Sequence, residues 1–336
     1  MLGAVMVAVV ARGCEDELLW VDGRRTTCAA SGLACEEWFC AACPYAGACD
    51  AHCGLCAAGA CDGVVDCGGR CVADSGGRGD GCCDRVFDCE RHDFDGGDCE
   101  RPVATPAPGS DDPRDHDWCV LLTATVCPHA GATHVVRTNP FVRRSDYAAA
   151  LRRWVGPNGT ALPLAVVENS GANLDALRAA AGPATVDFVS FSDAGVAAPR
   201  GKGHGEARAI QRALAASPLL KRCARIAKVT GRYFLEGLDA ALSGAGDAAL
   251  VVQSSPSPWT MWDGVLRSEV VGFANDAAFV AGLFDGQDER AGRPMERVLF
   301  VAARRLAGEG VAVASLPPLA VPPTPNAEET HVVVEL

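Results

Sequence analysis

Residues 166–171 read Val-Val-Glu-Asn-Ser-Gly, residues 200–207 Arg-Gly-Lys-Gly-His-Gly-Glu-Ala, and residues 226–234 Ile-Ala-Lys-Val-Thr-Gly-Arg-Tyr-Phe. In the first and third, polar residues close an apolar run; in the second, a Gly/Lys segment opens a helical pattern. Working outward, Trp118–Val126 is a continuous apolar run with β-branched members, as a strand buried on both faces should be. Arg144–Val155 has helical spacing. Leu164–Val167 reads as a strand, Asn173–Ala181 as a short helix and Val186–Phe191 as a strand. Gly205–Leu219 then reads as a helix, and Arg225–Thr230 and Ala249–Gln253 as further strands. Strands alternating with helices predict an α/β fold, a mainly parallel sheet with flanking helices and right-handed crossovers.

In such sheets ligands bind beyond the carboxyl ends of the strands. The polar residues fall there: Thr123 and Thr125, Glu168-Asn169-Ser170, and Lys228 to Arg232. Glu168 is placed to accept hydrogen bonds from a ribose or base. Lys202, between Gly201 and Gly203 at a helix start, offers backbone donors, the positive end of a helix dipole and a cation to a diphosphate. Lys228 and Arg232 add fixed positive charge where a leaving diphosphate would develop its own negative charge. The Gly-x4-Gly-Lys-Ser/Thr order of a phosphate loop is absent, as is a Gly-x-Gly-x-x-Gly dinucleotide fingerprint.

Composition divides the chain. Residues 1–100 hold 18 acids against 7 arginines and no lysine, whereas residues 101–336 hold 24 acids and 23 bases. The acidic part favours cations, and the nearly neutral part lacks the basic stripe that a nucleic-acid binder needs. Cysteine divides at the same place. Fifteen of the 18 lie between Cys14 and Cys99, and Cys119, Cys127 and Cys223 follow. That density implies a disulfide scaffold in an oxidising compartment. Cys40-x2-Cys43 and Cys53-x2-Cys56 have zinc-like spacing but form no clean ligand quartet. Fifteen is odd, so one thiol is left over or pairs with a later cysteine. Leu2–Val10 suits a signal-peptide core and is too short to span a bilayer, and no other segment is apolar over the required length. The expected localisation is therefore the lumen of the secretory pathway (ER or Golgi) or outside the cell, where Asn158-Gly-Thr160 is a glycosylation sequon.

The expected organisation is a signal-peptide-like segment (1–13), a cysteine-rich module (14–61), a second cysteine module (62–100), a Pro/Gly linker (101–116), the α/β domain (117–316) and a proline-rich tail (317–336). Cys49-x3-Cys53-x2-Cys56 resembles the closing signature of ShK-like modules. Gly79-Asp-Gly-Cys-Cys-Asp84 followed by Asp93-Phe-Asp-Gly-Gly-Asp-Cys99 resembles a Lin-12/Notch repeat, a small calcium-binding disulfide module. That resemblance implies Ca²⁺ ligation by Asp84, Asp95 and Asp98, with Asp80 an addition. The expected cysteine between Cys83 and Cys89 is missing, and Cys82 is an extra neighbour.

The order strand, Glu168-Asn-Ser-Gly, strand, Gly201-Lys-Gly-x-Gly-Glu206, helix, Lys228-Val-Thr-Gly-Arg-Tyr233 resembles small glycosyltransferases of the GT-A (nucleotide-diphospho-sugar transferase) type, over roughly residues 118–310. The resemblance implies a nucleotide-sugar donor and a glycan or glycoprotein acceptor. It places Thr123, Arg137, Glu168 and Asn169 near the nucleotide, and Lys202, Lys228 and Arg232 near the diphosphate. Where most relatives carry a metal-binding Asp-x-Asp, this chain has Lys228-Val-Thr-Gly-Arg232. Either cations replace the divalent metal, which guanidinium and ammonium groups can do, or the domain is inactive. A transferase also needs a base for the acceptor hydroxyl. Glu296, at the start of a helix, ranks first and Asp263, in Met-Trp-Asp-Gly (261–264), second. The competing expectation is a secreted or cell-surface binding protein whose transferase-like domain is degenerate.

Overall fold

The computed structural model describes residues 18–21, 24–27, 64–68, 71–72, 79–100, 114–129, 135, 137–193, 200–255, 265–317 and 319. The signal-peptide-like segment, the Cys49–Cys56 signature, most of the linker, Asp263 with its neighbouring tryptophans, and nearly all of the proline-rich tail lie outside them. The chain divides into two compact units, one of residues 1–78 and 84–93, the other of residues 79–83 and 94–336.

In the first unit, Leu18–Val21 pairs antiparallel with Arg24–Thr27, and Val64–Val65 with Cys71–Val72. A Cys67–Cys89 disulfide and the buried Phe87, edge-on to His92, consolidate its second part.

The second unit is a seven-stranded sheet. Its strands are β1 (His116–Ala124), β2 (Leu164–Glu168), β3 (Val186–Ser190), β4 (Cys223–Thr230), β5 (Leu250–Ser255), β6 (Val265–Ala274) and β7 (Val313–Ser315). They lie in the order β7-β5-β6-β4-β1-β2-β3. All pairs are parallel except those of β6, which runs antiparallel to both β4 and β5. The helices are α1 (Pro140–Trp154), α2 (Asp175–Ala181), α3 (Lys202–Ala216), α4 (Pro218–Lys221), α5 (Leu238–Ser243), α6 (Ala277–Leu283) and α7 (Met295–Gly308). The expected α/β architecture is therefore present.

Strand pleating sorts the core into two layers, because successive side chains leave opposite faces. Trp118, Val120 and Leu122 pack with α1, α2 and α5, while Cys119 and Leu121 pack with α3, α6 and α7. Gly272 of β6 permits this crowding: a Cβ there would lie 2.9 Å from the Trp118 ring.

Several boundaries move for identifiable reasons. β1 stops at Ala124, short of Val126, because the Val126 amide donates to Glu168 (2.9 Å) and the Thr125 carbonyl accepts from Arg143 Nε (2.5 Å). α3 begins one turn earlier than expected and ends at Ala216, where Pro218 follows and disfavours helix at the residue before it. β6 was not legible, since Arg267, Ser268 and Glu269 interrupt its apolar pattern. Its pairing with β5 also slips. Leu266 faces Ser254 and Val271 faces Val252, so five steps along β6 match two along β5, leaving three surplus residues.

Residues 79–83 and 94–100, expected to belong to the second cysteine module, are fastened to the α/β unit. Cys82 pairs with Cys127 and Cys83 with Cys99. Thus the extra cysteine finds a later partner, as the odd count allowed. Asn173 N donates to Asp98 O (2.7 Å), Leu174 N to Glu100 Oε2 (2.8 Å), and Glu100 pairs with Arg178 (2.5 Å). A fourth bridge, Cys119–Cys223, joins β1 to β4.

Candidate functional site

The sheet order reverses between β1 and β4: the chain runs outward from β1 through β2 to β3, then returns to β4 on the other side of β1. Ligand crevices in open α/β sheets form at this reversal, beyond the carboxyl ends of the strands. Thr123 and Lys228 stand there, and pleating sends both toward α3. Thr123 Oγ1 donates to Glu206 Oε1 (2.7 Å), and Lys228 Nζ reaches the same oxygen at 2.6 Å. Lys228 also donates to the Ser268 carbonyl (2.5 Å) and to Thr230 Oγ1 (3.3 Å). Ser268 Oγ donates to Glu296 Oε1 (2.5 Å). One connected network thus joins β1, α3, β4, β6 and α7.

Three expected site residues, Thr123, Lys228 and Glu296, are brought together, and the sequence reading missed the two that link them. Glu206 carried a signal: it lies one turn after Lys202 in the quoted Gly/Lys segment. Ser268 carried none. Burial raises the Glu206 carboxyl, but the Lys228 charge, the bonds from Lys228 and Thr123, and the Lys202 charge outweigh it and hold it below the ordinary value. Lys228 is 1% exposed, so its charge is committed to this pair. It stands behind the crevice and fixes Glu206 and the β6 excursion.

Asn169 extends the arrangement. Its side chain accepts from Thr125 Oγ1 (2.6 Å) and donates to Gly205 O (3.3 Å), tying the ends of β1 and β2 to α3. Arg232 follows Gly231, whose amide donates to Thr123 O (2.8 Å). It is half-buried against Tyr233, and its Nε has no hydrogen-bond partner among the described residues. Lys202 is exposed at the start of α3.

Glu168 is placed differently from the expectation. Pleating puts it on the sheet face opposite Lys228, and it is fully buried. Its oxygens accept from Val126 N (2.9 Å), Ser170 N (3.0 Å), Ala172 N (3.1 Å) and the Ser170 hydroxyl. Desolvation raises its carboxyl above the ordinary value despite those bonds. It is a buckle for the loops after β1 and β2 and has no exposed surface to offer a ribose. Arg137 is likewise engaged, pairing with Asp146 and accepting from Arg143 Nη1 through its carbonyl (2.9 Å).

The Gly201-Lys-Gly203 segment does open a helix, but its amides already hold an anion. Lys202 N donates to Glu289 Oε2 (3.1 Å) and Gly203 N to Glu289 Oε1 (2.9 Å).

Of the acidic residues assigned to calcium, Asp80, Asp95 and Asp98 belong to the second unit and Asp84 to the first. Asp98 Oδ2 accepts from Gly81 N (2.6 Å) and Asp80 Oδ1 from Cys82 N (2.9 Å). Asp95 is buried, within a run of positive φ at Asp93, Phe94 and Asp95. Among the described residues Asp80, Asp95 and Asp98 are not gathered into a three-ligand cluster. A cation held there would take further oxygens from backbone or water, as Ca²⁺ commonly does.

No protein-family model matches the chain, and no curated protein sequence matches it. Among solved structures it is similar to a protein assigned as a nucleotide-diphospho-sugar transferase from Desulfovibrio desulfuricans G20, at 18% identity and a TM-score of 0.36, over 60% of this chain and 80% of that one. It is also similar to a cytidylyltransferase from Leptospira borgpetersenii, at 10% identity and a TM-score of 0.36, over 66% and 82%. A third is the glycosyltransferase GlyE of Streptococcus pneumoniae, at 10% identity and a TM-score of 0.32, over 60% and 46%.

Proposed function

We propose that this protein is a glycosyltransferase, moving a sugar from a nucleotide-sugar donor to a hydroxyl of a glycan or glycoprotein acceptor in the secretory lumen or outside the cell. The observation that carries this reading is the Thr123–Glu206–Lys228–Ser268–Glu296 network at the strand-order reversal. Glu296 is the base: its carboxylate, oriented by the Ser268 hydroxyl, takes the proton from the acceptor oxygen as that oxygen attacks the anomeric carbon. Lys202 and Arg232 face the departing nucleoside diphosphate, in place of a divalent metal. Thr123 and Asn169 position the nucleotide at the ends of β1 and β2.

The test is calorimetric titration of UDP, GDP and CMP into the full chain, first with EDTA and then with Mn²⁺, followed by turnover of whichever nucleotide-sugar binds. Micromolar binding of one nucleotide is expected under EDTA. Glu296→Gln should then lose roughly 10²–10⁴-fold in kcat, the usual contribution of a general base, with donor affinity kept. If no nucleotide binds under either condition, the transferase reading fails and a binding protein on a degenerate domain stands in its place.

A structural calcium ion on Asp80, Asp95 and Asp98 of the second unit is part of the same proposal, supported by an all-oxygen donor set in an acidic segment. Calcium should raise the melting temperature of the full chain and EGTA reverse it, by an amount that Asp95→Asn and Asp98→Asn abolish. Equal melting with calcium and with EGTA would remove the ion from the account.

A further inference from the structure

We propose that the first turn of α3 is a diphosphate-accepting site which the chain keeps closed with its own Glu289 carboxylate. The inference rests on the transferase reading for the chemical class of the ligand.

The first turn of a helix presents unsatisfied N–H groups and the positive end of the dipole, and so selects anions. Here the Lys202 and Gly203 amides are spent on the two Glu289 oxygens. The glycines on either side of Lys202 make room for that carboxylate. Gly201 has φ +96°, a conformation that favours glycine, and a Cβ there would collide with the Glu289 side chain. A Cβ on Gly203 would strike the Gln287 amide and lie 3.0 Å from Glu289 Oε1. Glu289 itself sits at the tip of a turn bracketed by a bridge between Asp288 and Arg293. That turn is held to the segment before α3 by the Glu289 N to Arg200 O bond (2.9 Å) and a 3.7 Å approach of Arg200 to Asp288.

A helix cap alone would not imply a ligand, and Gln287 supplies the second observation. It is 1% exposed, its amide abuts Gly203, and neither Nε2 nor Oε1 has a hydrogen-bond partner among the described residues. Leaving both ends of a buried amide unsatisfied is costly. A diphosphate seated on the α3 amides would accept from Gln287 Nε2, with Lys202 beside it as cation. The position also fits the crevice, since Glu206, one turn further along α3, bonds to Thr123 and Lys228 at the strand ends. Glu289 is thus an internal competitor that mimics the ligand's charge, and its turn leads directly through Pro294 into α7 and Glu296.

The test is titration of inorganic pyrophosphate into the full chain. Glu289→Ala should bind at least about tenfold more tightly than the parent, of the order that removing a helix-dipole anion allows. Glu289→Gln, which keeps the shape of the cap without its charge, should fall between them. Gln287→Leu added to Glu289→Ala should cancel the gain while the melting temperature holds. If Glu289→Ala fails to fold, the Glu289→Gln titration decides alone. A folded charge-free variant that binds pyrophosphate no better than the parent makes Glu289 a permanent cap and overturns the proposal. UDP, GDP and CMP form the second arm. Tighter pyrophosphate binding with no nucleotide binding in any variant would keep this site and end the transferase reading. Nucleotide binding unaffected by Glu289→Ala would do the reverse.

Discussion

Lys228→Met should be among the most destabilising single substitutions in the α/β unit. It removes the cation from a buried pair, leaving Glu206 charged against Thr123 and the Ser268 carbonyl without its donor. Breaking a buried pair from one side costs about 3–5 kcal/mol. Glu206 keeps some contact with solvent, its side chain being 22% exposed, so the lower end applies, roughly 3 kcal/mol. For a unit of this size that is a melting-temperature loss of roughly 6–12 °C. Adding Glu206→Gln should return most of it, because the uncompensated charge goes. A single-variant loss under about 1 kcal/mol, or no recovery in the double variant, would show that the pair does not organise the crevice.

The same pair has an acid signature. Glu206 titrates below its ordinary value in the folded chain, so its stabilisation is complete above the unfolded carboxylate range and is lost as pH falls through the folded value. Glu168 works in the opposite sense. Its raised carboxyl stabilises the fold below the unfolded value, and that contribution is lost as pH rises through the folded one. The difference in unfolding free energy between parent and Glu206→Gln should therefore shrink on acidification, isolating the Glu206 part.

Removing the Cys119–Cys223 bridge as Cys119→Ala/Cys223→Ala should cost about as much or more. The bond closes a loop of 104 residues in sequence separation, for which chain-entropy arguments give about 4–5 kcal/mol. The loss should appear as a lower denaturant midpoint with a somewhat steeper slope, because the unlinked denatured chain is less compact and exposes more surface. Both sulfurs are fully buried, so a mild thiol reductant should leave this bond intact until the sheet opens. Equal unfolding midpoints for the parent and the double alanine variant would refute the assignment.

The fold was legible because β1 and β2 carry unbroken apolar runs and β3 and β4 shorter, β-branched ones, all separated by helical spacing, and buried parallel strands announce themselves that way. The site was legible only where a polar residue ended such a run on the correct face. Thr123 and Lys228 obey that rule. Glu168 ends its run equally well, yet one step of pleating turns it to the other layer, where backbone amides claim it. Ser268 could not be found at all, because nothing in Leu-Arg-Ser-Glu-Val distinguishes an irregular strand from a loop. Glu289 was equally silent: an acid 87 residues from the amide it caps leaves no local pattern.

The slip between β5 and β6 gives the sheet three residues more than its ladder can use. A regular strand would spend every carbonyl on its neighbours and would hold the edge of the sheet at least as firmly. By bowing out, β6 releases the Ser268 carbonyl to Lys228 and aims the Ser268 hydroxyl at Glu296. Slack in one strand is thus turned into aim. The most irregular stretch of the ladder is where this architecture is least replaceable, and shortening it to a tidy hairpin would leave a sound scaffold with nothing to grip.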